Sequence, residues 1–197
     1  LFGTRTVVTV HGLDWKRAKW GPVMRRVQKL GARAAARWPD GCIVCSRTLE
    51  RHYRETYGAT VRYIPNAVTP AELRPLRCGP RYGVSAGEYI LFLSRLVPEK
   101  GCHTLLRAFR QVRTDKKLLI VGEAPYMDDY MGQLRSLAEG DDRIVFAGPV
   151  YGEDKEELYS NAYLFCLPSE VEGMALVILE AMNFGRCVLL SNIPENV

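Results

Sequence analysis

Residues 88–96, EYILFLSRL, have the apolar pattern of a buried strand. This strand begins the segment from which the fold class can be inferred. From there onward, strand patterns alternate with helical ones. The predicted strands are residues 88–96, 117–122 (KLLIVG), 143–148 (RIVFAG), 163–169 (YLFCLPS) and 187–191 (CVLLS), and the predicted helices are residues 103–112, 127–138, 153–162 and 175–184. Elements that alternate at this spacing form βαβ crossovers, so the sequence predicts an α/β domain with a doubly wound parallel sheet.

The same alternation occurs upstream. The predicted elements there are a strand at 4–10 (TRTVVTV), a helix at 22–38, a strand at 41–46 (GCIVCS), a helix at 47–57 and a strand at 61–66 (VRYIPN). The β-branched run at 4–10 is typical of a strand buried on both faces, and it places His11 at that strand's carboxyl end. We expect residues 1–70 to end one domain, the proline-rich residues 71–87 to form a linker, and residues 88–197 to form a second domain. Because one such domain usually needs about 150 residues, the chain is expected to be a fragment.

Composition restricts the class of protein. The 197 residues are 47% hydrophobic, which is typical of a soluble α/β protein, and they contain no apolar run long enough for a membrane helix and no signal peptide. The cytoplasm is therefore the expected compartment. The six cysteines are expected to be free thiols, and a redox or zinc role for Cys42 and Cys45 is not favoured, because residues three apart in a strand point to opposite faces.

Charge is distributed unevenly along the chain. Residues 1–80 carry 15 Lys/Arg and 5 Asp/Glu, whereas residues 81–197 carry 12 and 17. In the predicted helix at 22–38, apolar residues recur at helical spacing among the basic residues Arg25, Arg26, Lys29, Arg33 and Arg37. Aromatic residues are too few there for base stacking, so no nucleic acid is expected. A contact with an anionic membrane and a merely soluble basic surface both stay open.

One carboxylate, Glu180, lies within an otherwise apolar helical pattern, where burying an unpaired charge is costly. We expect it to reach a polar ligand; the alternative is a buried salt bridge with an arginine. The loop before this helix, Glu172-Gly173-Met174-Ala175, presents backbone N–H groups at a helix N-terminus, as in a phosphate-binding site. A regular helix would place Glu172 and Glu180 about 12 Å apart.

Two cations follow the strand at 88–96. Arg95 and Lys100 lie in a loop before a helix and suit a pyrophosphate, although two basic loop residues alone are a weak signal. Two further strand ends, at Gly122-Glu123 and at Gly148-Pro149-Val150, have glycine where the backbone passes close to a neighbour. Because the strand ends of one sheet open on the same edge, these loops are expected to line one crevice.

The ordered segments RLVPEKG, VGE, AGPV and EGMALVILEAM resemble the motifs of the large retaining glycosyltransferase family 4, which has the GT-B fold. The segments TVHGLDW and YIPNAV are similar to the late N-terminal domain and the interdomain link of that family. The resemblance covers nearly the whole chain. It implies that residues 1–70 belong to an acceptor-side domain and residues 88–197 to a nucleotide-sugar donor domain.

The resemblance also implies roles for individual residues. Arg95 and Lys100 would hold the donor diphosphate, and Glu180 would bind the ribose hydroxyls. The backbone of Gly173, Met174 and Ala175 would meet the donor sugar and phosphate, and Glu172 would face the sugar. The base would be bordered by Gly122, Glu123 and Val150. His11 would approach the sugar from the other domain by hydrogen bonding, not as a nucleophile.

The implied reaction is a retaining transfer from a UDP- or GDP-sugar to a glycan or lipid-linked acceptor, without a metal or other cofactor, in polysaccharide or cell-surface glycan synthesis. Many family members have an aromatic residue and a glycine where this chain has Met174 and Ala175, so the donor sugar stays open. A non-catalytic nucleotide-sugar-binding fragment and a GT-B-related epimerase are the alternatives. Peripheral attachment to the inner face of a membrane is left open.

Overall fold

The computed structural model describes residues 3–16, 20–124 and 128–196. The chain divides into two compact units, each with its own parallel sheet. Unit 1 comprises Leu1–Ala67, Val171–Ala175 and Asn192–Val197, and unit 2 comprises Val68–Glu170 and Leu176–Ser191.

Unit 1 contains a three-stranded parallel sheet in the order β1-β2-β3. Its elements are β1 (Val7–Val10), a 3-10 turn (Asp14–Lys16), α1 (Pro22–Arg37), β2 (Gly41–Val44), α2 (Arg47–Tyr57) and β3 (Arg62–Tyr63). Helix α2 begins where expected, because the Ser46 side chain accepts a hydrogen bond from the Leu49 N–H at 3.2 Å. It ends at Gly58, whose positive φ of 60° suits a left-handed cap.

The expectation that the first strand is buried on both faces is wrong for the described residues. Val7 is 60% exposed, and side chains along β1 alternate between exposed and half-buried. The reason is that β1 is an edge strand, paired with β2 alone in the sheet described here. The apolar sequence therefore marks a strand correctly but does not establish two buried faces.

Helix α1 has the basic, amphipathic character predicted for it, but its apolar stripe faces outward. Val23 is 74% exposed and Leu30 is 61% exposed, whereas Ala32 is buried in the core of unit 1. Residues 23 and 32 lie on opposite sides of a regular helix, so packing through Ala32 turns the larger apolar side chains away. This helix thus presents apolar and basic side chains together.

Unit 2 contains a five-stranded parallel sheet in the order β6-β5-β4-β7-β8. Its elements are α3 (Gly79–Tyr82), β4 (Tyr89–Leu93), a 3-10 turn (Pro98–Lys100), α4 (Cys102–Phe109), β5 (Lys117–Val121), α5 (Asp128–Ala138), β6 (Ile144–Gly148), α6 (Gly152–Asn161), β7 (Leu164–Leu167), α7 (Leu176–Asn183) and β8 (Val188–Leu190). Every strand and helix predicted after residue 87 is present, although Met127, the predicted start of α5, lies outside the described residues. The chain builds the sheet in one direction from β4 to β6 and then continues on the other side with β7, so a topological switch point lies between β4 and β7.

Residues 71–87, expected to be a linker, belong to unit 2 and contain α3. They are held to α6 by side-chain contacts, including one from the Arg74 Nε to a Glu156 oxygen at 2.6 Å. Prolines prevent a regular element over most of this segment but do not leave it detached. The predicted domain ranges stay a prediction for the whole protein.

All six cysteines are free thiols, as the sequence predicted. Over the described ranges, we find no helix with both the length and the apolar character needed to cross a bilayer.

Candidate functional site

The carboxyl ends of four strands of unit 2 are joined by backbone hydrogen bonds along one edge of the sheet. The loop after β4 donates to the end of β5 through Ser94 to Val121 at 3.1 Å and Leu96 to Glu123 at 2.7 Å. The end of β5 bonds to the end of β6, and the loop after β7 donates to the Glu99 carbonyl at 2.9 Å. The predicted strand-end residues are therefore brought together at one rim, which includes the switch point.

Arg95 and Lys100 both lie on this rim. Arg95 is exposed directly after β4, and Lys100 is half-buried at the end of the 3-10 turn. The next residue, Gly101, has a positive φ of 69°, and a β-carbon there would collide with the Pro168 carbonyl oxygen beyond β7. Glycine at this position thus allows the two strand ends to approach closely, with two cations beside them.

Gly122, Glu123 and Val150 lie at the ends of β5 and β6. A β-carbon on Gly122 would collide with the Ser94 carbonyl oxygen, and its φ of 144° is one that other residues rarely adopt. Glu123 is exposed, whereas the Val150 side chain is buried. Any contact of residue 150 with a ligand would therefore involve its backbone more readily than its side chain.

Glu180, on α7, has two protein partners. Its Oε1 accepts a hydrogen bond from Lys155 Nζ at 2.9 Å, and its Oε2 accepts one from the Tyr159 hydroxyl at 3.0 Å. The carboxylate is partly accessible, with 25% of the side chain exposed. The argument that this charge needs a ligand partner is therefore wrong, and the cation that pairs with it is a lysine, not an arginine. Its predicted role toward a ribose stays a prediction.

Lys155 and Tyr159 are the residues that sequence reasoning missed. Both lie on α6, which begins at Gly152 beyond the carboxyl end of β6, and Lys155 is within the first turn of this helix. Burial, followed by the nearby Glu180 carboxylate, raises the pKa of Tyr159 above its ordinary value, so the phenol stays a hydrogen-bond donor. Their spacing of four residues on a predicted helix was the available signal, since it places both on one face.

In unit 1, the segment at 171–175 packs against the end of β1. A β-carbon on Gly173 would collide with the His11 carbonyl oxygen. The Met174 carbonyl accepts a hydrogen bond from Asn66 Nδ2 at 3.0 Å, and its side chain packs on the core of unit 1. The structure therefore brings together His11 and the Gly173 loop, two segments that are 162 positions apart in the numbering.

Helix α7 begins at Leu176, so residues 172–175 precede it instead of forming its first turn. The estimate of the distance from Glu172 to Glu180, which assumed one regular helix, does not apply for this reason. In the described chain, the N–H groups of Gly173, Met174 and Ala175 donate no hydrogen bond to a backbone carbonyl. They are thus suitable donors for an anionic ligand.

A small cavity of about 270 Å³ opens beside the exposed His11 in unit 1. Its lining combines an imidazole, a carboxylate, an amide and an indole. The lining residues are Thr9, Val10, His11, Gly12, Asp14, Trp15, Gln28, Gly31, Ala32, Ala35 and Tyr53. The groups present there can exchange hydrogen bonds with hydroxyls.

Within the described ranges, Cys78, Asp154 and Glu157 place three potential metal-ligand atoms within 4.8 Å of one another. Burial, followed by hydrogen bonding to Glu157, raises the pKa of Cys78 to about 12, so the thiol is protonated at neutral pH. Glu157 Oε2 accepts the backbone N–H groups of Arg77 and Cys78 at 2.7 and 2.8 Å. The cluster therefore fastens residues 77–78 to α6, and we assign no metal to it.

Two family profiles match the sequence. The profile described as Glycosyl transferases group 1 matches residues 87–197, and the profile described as Glycosyltransferase Family 4 matches residues 1–72. Together they cover both units.

Two curated proteins illustrate the similarity. O-antigen chain mannosyltransferase B of Escherichia coli is 33% identical over 137 residues, 68% of this chain and 35% of that protein. The GDP-mannose-dependent alpha-(1-6)-phosphatidylinositol monomannoside mannosyltransferase of Mycolicibacterium smegmatis is 27% identical over 213 residues, 98% of this chain and 54% of that protein. The chain thus spans between a third and about half of the length of these relatives.

Solved structures share the fold. Anabaena Alr3699/HepE, in complex with UDP and glucose, matches with a TM-score of 0.84 at 20% identity, over 98% of this chain and 54% of that one. Sucrose-phosphate synthase from Thermosynechococcus elongatus matches with a TM-score of 0.77 at 25% identity, over 95% of this chain and 50% of that one. These likenesses confirm the predicted GT-B class with Rossmann-like parallel sheets.

Proposed function

Because the chain belongs to glycosyltransferase family 4, the glycosyl transferases group 1, we propose that the whole protein transfers a sugar from a nucleoside diphosphate to a glycan or lipid-linked acceptor. The observation that carries this proposal is the rim of unit 2, where Arg95 and Lys100 lie at strand ends that backbone hydrogen bonds join. Glu180 is linked to the helix that follows β6, because its Oε1 accepts a hydrogen bond from Lys155 in the first turn of α6. A parallel sheet offers its ligand site at this rim. The arrangement suits a nucleotide with an anionic diphosphate.

Arg95 and Lys100 hold the diphosphate. The guanidinium makes two parallel hydrogen bonds to phosphate oxygens, and the ammonium adds a point charge. As the sugar–phosphate bond breaks, both cations stabilise the charge that develops on the leaving diphosphate. The transfer then requires no divalent ion, and the sugar retains its anomeric configuration through an oxocarbenium-like state.

In unit 1, the backbone N–H groups of Gly173, Met174 and Ala175 bind the donor's sugar and phosphate oxygens, and Glu172 accepts hydrogen bonds from sugar hydroxyls. His11, whose imidazole is exposed, forms a hydrogen bond to the sugar and makes no covalent bond. In unit 2, Gly122, Glu123 and Val150 border the base. Each of these roles follows from family membership together with the exposure and hydrogen bonding of the group concerned.

The donor is a UDP- or GDP-sugar. The relative from Mycolicibacterium smegmatis is named as GDP-mannose-dependent, and the Anabaena protein was crystallised with UDP and glucose. Both names support a nucleoside diphosphate carrier. The names of the mannosyltransferase relatives, which mention O-antigen chain and phosphatidylinositol mannoside, support a role in polysaccharide or cell-surface glycan synthesis.

A peripheral contact with the inner face of an anionic membrane accompanies this function. Helix α1 exposes Val23, Val27 and Leu30 on one stripe, and Arg26, Lys29 and Arg33 flank it. An apolar face bordered by cations binds at the headgroup level of anionic lipids. Such a contact would bring the enzyme to a lipid-linked acceptor.

The proposed activity is tested by a transfer assay on the whole protein with UDP-glucose and GDP-mannose, each with a lipid-linked acceptor mixture. The proposal expects one donor to be consumed with a new glycosidic bond, and NMR of the product to show the donor's anomeric configuration. An inverted product would contradict the retaining mechanism. If the protein binds UDP or GDP but consumes neither UDP-glucose nor GDP-mannose, this choice of donors is contradicted.

A further inference from the structure

The carboxylate of Glu180 is held at both of its oxygens. Lys155 Nζ donates to Oε1 at 2.9 Å, and the Tyr159 hydroxyl donates to Oε2 at 3.0 Å. An ionised carboxylate has about four acceptor positions, two on each oxygen. One acceptor position therefore remains on each oxygen, and a quarter of the side chain is open to ligand.

We propose that Lys155 and Tyr159 are positioning residues that orient Glu180 so that its two oxygens accept the two adjacent hydroxyls of a ribose. This inference rests on the proposed donor site and assigns two further residues to it. A carboxylate free to rotate would lose side-chain entropy on binding the diol, whereas one held at both oxygens has already lost it. The pair thus pre-organises the ribose contact.

The packing around Tyr159 makes it a rigid support. Its side chain is fully buried, and its ring is stacked on Phe184 with centroids 5.5 Å apart and planes 9° apart. The hydroxyl also approaches the Val177 carbonyl at 3.3 Å, but the contact with the carboxylate is shorter and charge-assisted. The Tyr159 hydroxyl therefore donates its hydrogen bond mainly to Glu180.

Lys155 supplies a charge as well as a hydrogen bond. Glu180 alone would repel the diphosphate of an approaching nucleotide, and the neighbouring ammonium offsets that repulsion. The lysine side chain is 30% exposed, so the pair is not fully desolvated. Replacing Lys155 by methionine removes the charge and the donor while keeping most of the aliphatic chain.

The experiment is calorimetric titration of the full chain with UDP and GDP, and with the 2′-deoxy and 3′-deoxy forms of the tighter binder. For the unchanged chain, removal of either hydroxyl is expected to weaken binding about tenfold, the effect of one hydrogen bond to a charged group. Tyr159→Phe and Lys155→Met should each lower the affinity for the unmodified nucleotide about tenfold. In each variant, removing at least one of the two ribose hydroxyls should then lower the affinity only about twofold further.

Matched controls make the same chemical changes elsewhere in unit 2. Tyr163 and Lys116 form a cation–π pair 4.3 Å apart at the amino ends of β7 and β5, so Tyr163→Phe and Lys116→Met should leave nucleotide affinity unchanged. The deoxy-nucleotides test the unchanged chain without any substitution. Circular dichroism of each variant confirms that it is folded.

The outcomes separate the inference from the proposed function. If the folded chain binds neither UDP nor GDP, or if Glu180→Gln leaves binding unchanged, the proposed donor site is contradicted. If Glu180→Gln weakens binding but Tyr159→Phe and Lys155→Met do not, the inference alone is overturned. A variant that binds more weakly yet keeps the full deoxy penalty would show a purely structural role and would also overturn it.

Discussion

The carbonyl oxygen of His11 occupies the space that a β-carbon on Gly173 would need. The same β-carbon would come within 2.8 Å of the His11 carbonyl carbon and 3.4 Å of the Gly12 Cα. These are backbone atoms, which cannot move aside as a flexible side chain can. The close approach of the two segments therefore depends on glycine at position 173.

Gly173→Ala should destabilise the protein by about 1–3 kcal/mol, the usual cost of forcing an extra methyl group into a packed site. The measurement is urea unfolding followed by circular dichroism. The control is Gly31→Ala in α1, where nothing beyond the adjacent residues and the local helix backbone lies within 4 Å of the added β-carbon in the described chain. The higher helix propensity of alanine should stabilise this variant slightly. Equal unfolding midpoints for the two variants would contradict the packing described for residue 173.

Removal of both rim cations should weaken nucleotide binding much more than removal of two cations elsewhere. Arg95→Ala combined with Lys100→Ala is expected to lower affinity for UDP or GDP at least a hundredfold, because each charged hydrogen bond contributes about tenfold or more. The loss should be smaller at high salt, since screening weakens the wild-type contacts. The control combines Arg107→Ala with Arg113→Ala, two exposed arginines near the other end of α4. Similar losses of nucleotide affinity in the two double variants would contradict the assignment of Arg95 and Lys100 to the diphosphate.

Local sequence signals were sufficient for the helices and strands of unit 2. Helix α6, for example, was predicted over residues 153–162 and is observed over Gly152–Asn161. Its contact with α7 was not predictable in the same way. Lys155 and Glu180 are 25 residues apart, and they meet only because of how the elements after β6 and β7 pack together. Periodicity predicts which residues share a face of one helix, but it contains no information about which helix that face meets.

Glu157 should stabilise the protein in a pH-dependent way. The backbone N–H of Cys78, followed in effect by that of Arg77, lowers the pKa of this carboxyl below its ordinary value of 4.5. A lowered pKa stabilises the fold at pH above 4.5, and the contribution is lost as the pH falls through the lower folded value. Glu157→Gln should thus lower the Tm at pH 7, and the difference in Tm between this variant and the unchanged protein should disappear at acidic pH. The control is Glu139→Gln, a change at an exposed position. A Tm difference between Glu157→Gln and the unchanged protein that stays constant down to pH 3 would contradict the role of the carboxylate.

Helix α1 should bind vesicles that contain phosphatidylglycerol and not vesicles of phosphatidylcholine alone. Each basic residue near an anionic surface contributes about 1 kcal/mol, so reversing Arg26, Lys29 and Arg33 to glutamate should abolish sedimentation with the vesicles. Reversal of Arg107, Arg110 and Arg113, which are exposed in unit 2, should leave sedimentation intact. Binding that is insensitive to salt and to the α1 reversal would refute the proposed contact.

For helix α1, the spacing of apolar residues predicts the helix but not which of its faces packs on the core. The spacing of Val23, Val27 and Leu30 correctly predicted a helix with one apolar stripe. It could not predict that the small side chain of Ala32, on the opposite side, makes the contact with the core. Close packing favours the face that fits, so the larger stripe is left exposed although it is more apolar. Similarly, the β-branched residues of β1 predicted a strand but not its position at a sheet edge.

The central claim is that unit 2 carries the donor nucleotide site with Glu180 at the ribose. The most direct test is calorimetric titration of this chain with UDP, GDP and ADP, repeated on Glu180→Ala and on the exposed control Glu139→Ala. The account predicts that UDP or GDP binds, that Glu180→Ala weakens this binding at least tenfold, the effect of one lost charged hydrogen bond, and that Glu139→Ala does not. A folded chain that binds neither UDP nor GDP, or that binds equally well with Glu180 replaced, would contradict it.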